Sequence, residues 1–219
     1  MKPYFDDGTV TIYHGDCAVI APQLGAFDLL CTDPPYGIGE ARGKNKSRTK
    51  IARSKDYGVA AWDDAPPSAW VLDMLRALSR FQIIFGGNYF ALPPSSCWLV
   101  WDKENGESDF ADCELAWTNF ASAVRRKRHR WAGMLQADMA NKEERYHPTQ
   151  KPLAVMLWAI GLCPERPATV VDPFMGSGTT LRACKDLGIR AVGIEAEEKY
   201  CEIAARRLGQ QTLALGGVA

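Results

Sequence analysis

An acid and an aromatic ring share one stiff turn in Cys31-Thr32-Asp33-Pro34-Pro35-Tyr36-Gly37. The run from Phe27 to Leu30 ahead of it has the length and composition of a buried strand. Two prolines, neither able to donate to a sheet ladder, then end that strand. Asp33, the Pro34 carbonyl and Tyr36 are thereby held in one mutual geometry at the carboxyl end of a strand, where open α/β sheets bind their ligands. A flat base stacked on Tyr36 can offer an exocyclic amine to the Asp33 carboxylate and the Pro34 carbonyl, both of them acceptors. The competing reading is a proline-terminated strand carrying a solvated aspartate.

A second constellation lies between residues 170 and 195: a short apolar strand, the turn Asp172-Pro173-Phe174-Met175-Gly176-Ser177-Gly178-Thr179-Thr180, a helix, and a strand ending in Glu195. Gly176 and Gly178 let the backbone approach a ligand, and the helix start after them offers free N–H groups. Glu195 falls near the distance at which an acid grips a ribose diol. The turn lacks the third glycine of a dinucleotide fingerprint, and no Gly-Lys-Ser/Thr follows as in a P-loop. One ribose acid in an acid-rich pocket with no pyrophosphate cradle fits S-adenosylmethionine, whose sulfonium is cationic.

The elements that must position these groups alternate strand and helix. Strands are predicted at 9–13, 27–30, 81–85, 97–101, 114–117, 169–171 and 191–194, and helices at 18–24, 66–79, 153–162, 179–187 and 198–208. In the 66–79 helix Trp70, Leu72, Leu75 and Leu78 are expected towards the core. This pattern implies an α/β fold with a mostly parallel sheet. Residues 37–60 interrupt it with four glycines and the basic side chains Arg42, Lys44, Lys46, Arg48, Lys50, Arg53 and Lys55. Loops of this length are functional or disordered, so the stretch reads as a mobile DNA-contacting lid or as an inert solvated insertion. The run Arg125-Arg126-Lys127-Arg128-His129-Arg130 likewise has two readings, a charged edge strand or a phosphate contact through Arg125, Arg126, Arg128 and Arg130.

At 219 residues the chain reads as one domain with a full core. Zero formal net charge excludes a global field that drives it onto nucleic acid, so such binding must come from local segregation of charge. The seven cysteines form no CxxC pair and sit mostly in apolar runs, which points to reduced core residues in a cytoplasmic protein and away from zinc. No metal is expected. The N-terminus has no signal-peptide character, and the longest apolar stretch, Pro152 to Cys163, is too short to span a bilayer.

With Thr32-Asp33-Pro34-Pro35-Tyr36-Gly37, His147-Pro148-Thr149-Gln150-Lys151-Pro152 and the 172–180 turn in this order, the chain resembles the N6-adenine/N4-cytosine DNA methyltransferases. More narrowly it resembles their permuted β group, in which the Asp-Pro-Pro-Tyr motif precedes the cofactor motif. The resemblance covers nearly the whole chain. It implies a Rossmann-like, circularly permuted methyltransferase sheet with helices on both faces, in which the strand before Asp172 lies beside the strand before Asp33.

The resemblance also assigns residues. Asp33, Pro34, Pro35 and Tyr36 form the catalytic turn. S-adenosylmethionine is held by Asp16 and Cys17 after the first strand, by Asp33, by Asp172, Phe174, Gly176, Ser177, Gly178 and Thr179, and by Glu195 on the ribose. Thr149 and Lys151 lie near the methionine carboxylate. The expected reaction is direct methyl transfer to the amine of a base flipped out of double-stranded DNA, leaving S-adenosylhomocysteine, with no covalent enzyme intermediate. An aspartate at the head of the tetrapeptide leans towards adenine N6, where a serine would lean towards cytosine N4. The interval 122–146 is short for a target-recognition region, which implies a short or relaxed site. A homodimer is a further option. The rival readings are an N4-cytosine enzyme, a non-catalytic nucleic-acid-binding relative and, lower, an NAD-dependent oxidoreductase.

Overall fold

The computed structural model describes residues 1–37, 65–106, 111–132, 135–146 and 149–209. In chain order the elements are β1 (Phe5–Asp6), β2 (Val10–His14), α1 (Cys17–Ile20) with a 3-10 turn at Ala21–Gln23, β3 (Phe27–Thr32), α2 (Ala69–Ala77), β4 (Ser79–Phe85) with a 3-10 turn at Gly87–Tyr89, and β5 (Trp98–Asp102). Then follow β6 (Cys113–Thr118), β7 (Arg125–Arg128), the hairpin β8 (Trp131–Ala132) and β9 (Leu135–Gln136), α3 (Leu153–Gly161), β10 (Thr169–Asp172), α4 (Thr179–Asp186), β11 (Arg190–Glu195) and α5 (Glu198–Gly209). The basic residues Arg42, Lys44, Lys46, Arg48, Lys50, Arg53 and Lys55 of the expected lid, and His147-Pro148, lie outside the described residues.

Nine strands form one sheet in the order β1-β2-β11-β10-β3-β4-β6-β5-β7, with β8 and β9 as a separate pair. Only β1 and β6 run against their neighbours in that sheet. Along each central strand, alternate residues face opposite layers. Leu29, Cys31, Ile83, Phe85 and Val170 join the cluster that includes Val155, Met156, Leu181, Cys184 and Leu208 of α3, α4 and α5. Leu30, Ile84 and Val171 join Cys17, Ile20, Val71 and Leu75 of α1 and α2. A sheet covered on both faces needs apolar residues at successive positions, which is why Leu29–Cys31 of β3, Ile83–Phe85 of β4 and Val170–Val171 of β10 are consecutive apolar residues. Each fully buried aliphatic side chain there contributes roughly 1.5–3 kcal/mol.

The expected neighbours are neighbours. β10 pairs in parallel with β3, Val170 opposite Leu29 and Val171 opposite Leu30. Side chains fasten this pair at both ends. At the amino end, the Thr169 N–H and hydroxyl and the Ala168 N–H donate to Asp28 Oδ2. At the carboxyl end, the Thr32 hydroxyl donates to Asp172 Oδ1 at 2.8 Å. The long gap in sequence between Asp33 and Asp172 thus closes to adjacent strand ends.

One expectation is corrected, and two details are added. Trp70 is 62% exposed. The helix begins only at Ala69, and its buried face is set by Val71, Leu72 and Leu75. Trp70 stands about 200° around the helix from Leu72 and points out. Of the cysteines, Cys113 is exposed and Cys163 half-buried, and the other five are buried as expected. Residues 5–6 add an antiparallel edge strand that the sequence did not announce.

Candidate active site

Because β2, β3, β4, β5, β7, β10 and β11 run the same way, their carboxyl ends share one edge of the sheet. That edge receives Asp16, Asp33, Gly86, Asp102, Asp172 and Glu195. The reversed strand β6 starts there, Glu114 paired with Trp101 and Cys113 with Asp102.

Asp33 is the centre. Its Oδ1 accepts from the Tyr36 hydroxyl at 2.5 Å, and its Oδ2 accepts from Lys151 Nζ at 2.6 Å. Burial lifts the Asp33 carboxyl above its ordinary value, with the Lys151 ammonium opposing. Lys151 is 7% exposed and also lies 3.0 Å from Glu114 Oε2, while Glu114 Oε1 pairs with Lys103 Nζ at 2.5 Å. Burial works against the Lys151 charge, but Asp33 and Glu114 outweigh it and hold its pKa well above the usual lysine value. Glu114 would also be raised by burial, yet Lys151 and Lys103 bring it down to about 2. Lys151, which the resemblance places near the methionine carboxylate, is thus bound here to Asp33.

Tyr36 packs against Tyr89, ring centroids 4.8 Å apart and planes at 14°, with Phe90 edge-on at 6.2 Å. Gly86 closes the space beside it. Its φ is +66°, and a Cβ there would overlap Cε1, Cζ and Cδ1 of Tyr36. Burial and the Asp33 charge keep the phenol protonated, well above its usual range. Sequence reasoning missed Gly86, Tyr89, Lys103 and Glu114. The one available signal was Gly86-Gly87 closing the strand next to β3.

The glycine turn after β10 leads into a helix as expected, and its polar atoms are shared with neighbouring segments. Asp172 is 2% exposed, and Oδ1 accepts from Thr32 and from the Phe174 N–H at 3.1 Å. Burial raises its carboxyl to about 6. Glu195 accepts from the Gly176 N–H at 3.0 Å through Oε2 and from the Glu197 N–H at 2.8 Å through Oε1. Asp16 caps α1 through the Ala18 N–H. Burial takes the Cys17 thiol to about 12, so it stays protonated. Gly176 and Gly178 adopt φ of +50° and +81°. Gly178 immediately precedes α4, and Thr179 is its first residue. Ser177 is held from behind: its hydroxyl donates to Gln150 Oε1 at 3.2 Å, and Arg207 Nη1 donates to its carbonyl at 2.5 Å. Gln150 in turn donates to Glu143 Oε1 and the Glu144 carbonyl. The Thr149–Lys151 segment therefore bridges Asp33 and the glycine turn. The role of Arg207 carried no signal in the sequence.

This donor set fits S-adenosylmethionine. Two left-handed glycines precede a helix start, and each Glu195 oxygen keeps a lone pair beyond its backbone bond. Acids from three adjacent strands line an edge that suits a cationic sulfonium and a ribose diol. Among the described residues no group of three or more His, Cys, Asp or Glu is placed to hold a metal ion.

The basic run forms β7, the outermost strand, in parallel with β5. Arg125, Arg126, Arg128 and Arg130 are all exposed, with Arg128 Nε 3.5 Å from Asp102 at the site edge. The edge-strand reading therefore holds, and it leaves the guanidinium groups available. Residues 122–146 carry β7 and the small β8–β9 hairpin. Gln136 of that hairpin exchanges hydrogen bonds with Glu143, its amide donating to the Glu143 carbonyl. No helix among the described residues is long and apolar enough to cross a membrane.

The comparisons with known proteins agree with this arrangement. A family described as DNA methylase matches residues 92–206. The type II methyltransferase M2.DpnII of Streptococcus pneumoniae is 37% identical over 94% of this chain and 92% of its own length. M.HinfI of Haemophilus influenzae is 44% identical over 95% of this chain and 70% of its own. Among solved structures, the M1.HpyAVI–SAM complex superposes with a TM-score of 0.58 at 25% identity, covering 92% of this chain and all of that one. The PvuII DNA methyltransferase (cytosine-N4-specific) gives a TM-score of 0.60 over 97% of this chain and 91% of that one, and at 15% identity this likeness is one of fold. On its fold, its paired sites and these relatives, the chain belongs to the N6/N4 DNA methyltransferase family.

Proposed function

We propose that this S-adenosylmethionine-dependent DNA methyltransferase modifies the N6 amine of an adenine flipped out of double-stranded DNA, at a short or relaxed site. The observation that carries the reading is the Asp33 carboxylate, fixed by two prolines beside an aromatic ring and one strand from the glycine turn. When bound, S-adenosylmethionine supplies a methyl group activated on a sulfonium.

The chain's own residues do the rest. Phe174, Gly176, Gly178, Thr179, Glu195 and Asp16 hold and orient the donor. Asp33 and the Pro34 carbonyl accept the two amino hydrogens, which draws the nitrogen lone pair out of conjugation with the ring. Tyr36, backed by Gly86 and Tyr89, presents an aromatic wall to the base. Stacking there is worth about 1–3 kcal/mol, against a flipping cost of a few kcal/mol. Arg125, Arg126, Arg128 and Arg130 contact phosphates, which position the duplex without reading its sequence. The short 122–146 segment supports a limited site. The lid role of residues 37–60 belongs to the same proposal.

Expression in a methylation-free host followed by base-resolved mapping tests this directly. N6-methyladenine at a short motif is expected. N4-methylcytosine would reverse the base assignment, and a single fixed site of six or more base pairs would overturn the relaxed-site reading. Asp33→Ala should abolish transfer while S-adenosylmethionine affinity stays within several-fold, because Glu114 remains to pair Lys151. A cofactor loss matching that of a Gly178 variant would show that Asp33 serves the donor instead.

A further inference from the structure

One charged cluster among the described residues is larger than the proposed chemistry requires. Lys103, Glu114, Lys151 and Asp33 form a row of alternating charge that ends on the Tyr36 hydroxyl. An amine acceptor needs neither Glu114 nor Lys103. Each Asp33 oxygen already carries one bond, Oδ1 from Tyr36 and Oδ2 from Lys151, and keeps one lone pair. A target amine donating to Oδ2 shares that oxygen with an ammonium, which opposes the positive charge the nitrogen gains on methylation. Transfer is therefore favoured when Lys151 moves away from Oδ2.

Glu114 offers Lys151 a second partner. Its Oε2 is sealed from solvent and already lies 3.0 Å from Lys151 Nζ, so the ammonium touches both carboxylates and can pass from Asp33 to Glu114 with little movement. Its sister oxygen is anchored on Lys103, so Glu114 stays in place while Lys151, a long flexible side chain, swings over. The reversed direction of β6 brings this carboxylate to the site edge.

We propose that Glu114 is a positioning residue for methyl transfer, taking over the Lys151 ammonium when the acceptor amine takes Asp33 Oδ2. This rests on the assignment of Asp33 as amine acceptor. The test uses Glu114→Gln, which keeps the shape and removes the charge, with the full chain and a duplex bearing a mapped site. Single-turnover transfer should slow roughly tenfold to hundredfold, with S-adenosylmethionine affinity by calorimetry unchanged. Affinity for the duplex should fall, but not for the same duplex with purine, which lacks the exocyclic amine, in place of the target adenine. A merely structural role would weaken both duplexes alike. Should Glu114→Gln not fold, Lys103→Met with Glu114→Met replaces the pair by apolar side chains, an exchange that buried ion pairs commonly tolerate, and should show the same losses. Transfer that is lost in Asp33→Ala but intact in Glu114→Gln, or equal losses on both duplexes, overturns the proposal alone. Transfer that survives Asp33→Ala overturns the reading beneath it as well.

Discussion

Adding one methyl group at Gly86 tests how the aromatic wall is held. Gly86 adopts φ +66°, a conformation costing an alanine about 1 kcal/mol relative to glycine. The new Cβ would also overlap the Tyr36 ring, which has to move. Moving it breaks the hydroxyl bond to Asp33, a hydrogen bond to a charged group worth about 1.5–3 kcal/mol. It also breaks the stack on Tyr89, worth about 0.5–1.5 kcal/mol. Together these give a loss of roughly 3–5 kcal/mol, a large share of the 5–15 kcal/mol typical of a domain. Gly25→Ala is the control, because Gly25 has φ +83° and nothing within 4 Å of its would-be Cβ, leaving only the backbone cost. Urea denaturation of both variants measures the difference. Single-turnover transfer should fall in Gly86→Ala and not in Gly25→Ala, with cofactor affinity kept in both. Equal stability losses in the two variants would refute the claim that Gly86 exists to seat Tyr36.

Arg207→Met removes the guanidinium that braces the Ser177 carbonyl and should weaken S-adenosylmethionine binding about tenfold, equivalent to 1.4 kcal/mol; calorimetry showing unchanged affinity would make Arg207 a bystander. Asp172 binds its proton more readily folded than unfolded, so its stabilising contribution is full below about pH 4 and is lost as pH rises through about 6. The gap between 3.8 and about 6 corresponds to roughly 3 kcal/mol, and Asp172→Asn should flatten that part of a urea-derived stability profile. Neutralising Arg125, Arg126, Arg128 and Arg130 should lower the slope of log affinity for DNA against log salt by about 0.9 for each phosphate that the protein no longer neutralises; an unchanged slope would leave β7 as a solvated edge.

Both ligand-facing turns were legible because their chemistry is local. Asp33-Pro34-Pro35-Tyr36 and Gly176-Ser177-Gly178 each lie within a few bonds, and prolines and glycines declare their backbone geometry by type. The helix boundaries at Leu153 and Gly188 were legible for the same reason. Trp70 was misplaced because it lies about 200° around the helix from Leu72, so the two cannot share the buried face. Lys151 was placed by analogy on the donor side, and the partner it binds comes from a distant part of the chain.

The sequence by itself determined that an acid and a ring end one strand, that a glycine turn ends another, and that alternating elements lay both on a mostly parallel sheet. Residue type and short spacing settle such matters. Only the tertiary structure decided that reversed β6 delivers Glu114 to the site, that Gly86 seats Tyr36, and that Arg207 braces the glycine turn. Each of these depends on strand order, strand direction or packing between separate elements. The free energy that selects that order is spread over the buried faces of the whole sheet, and no single motif records it.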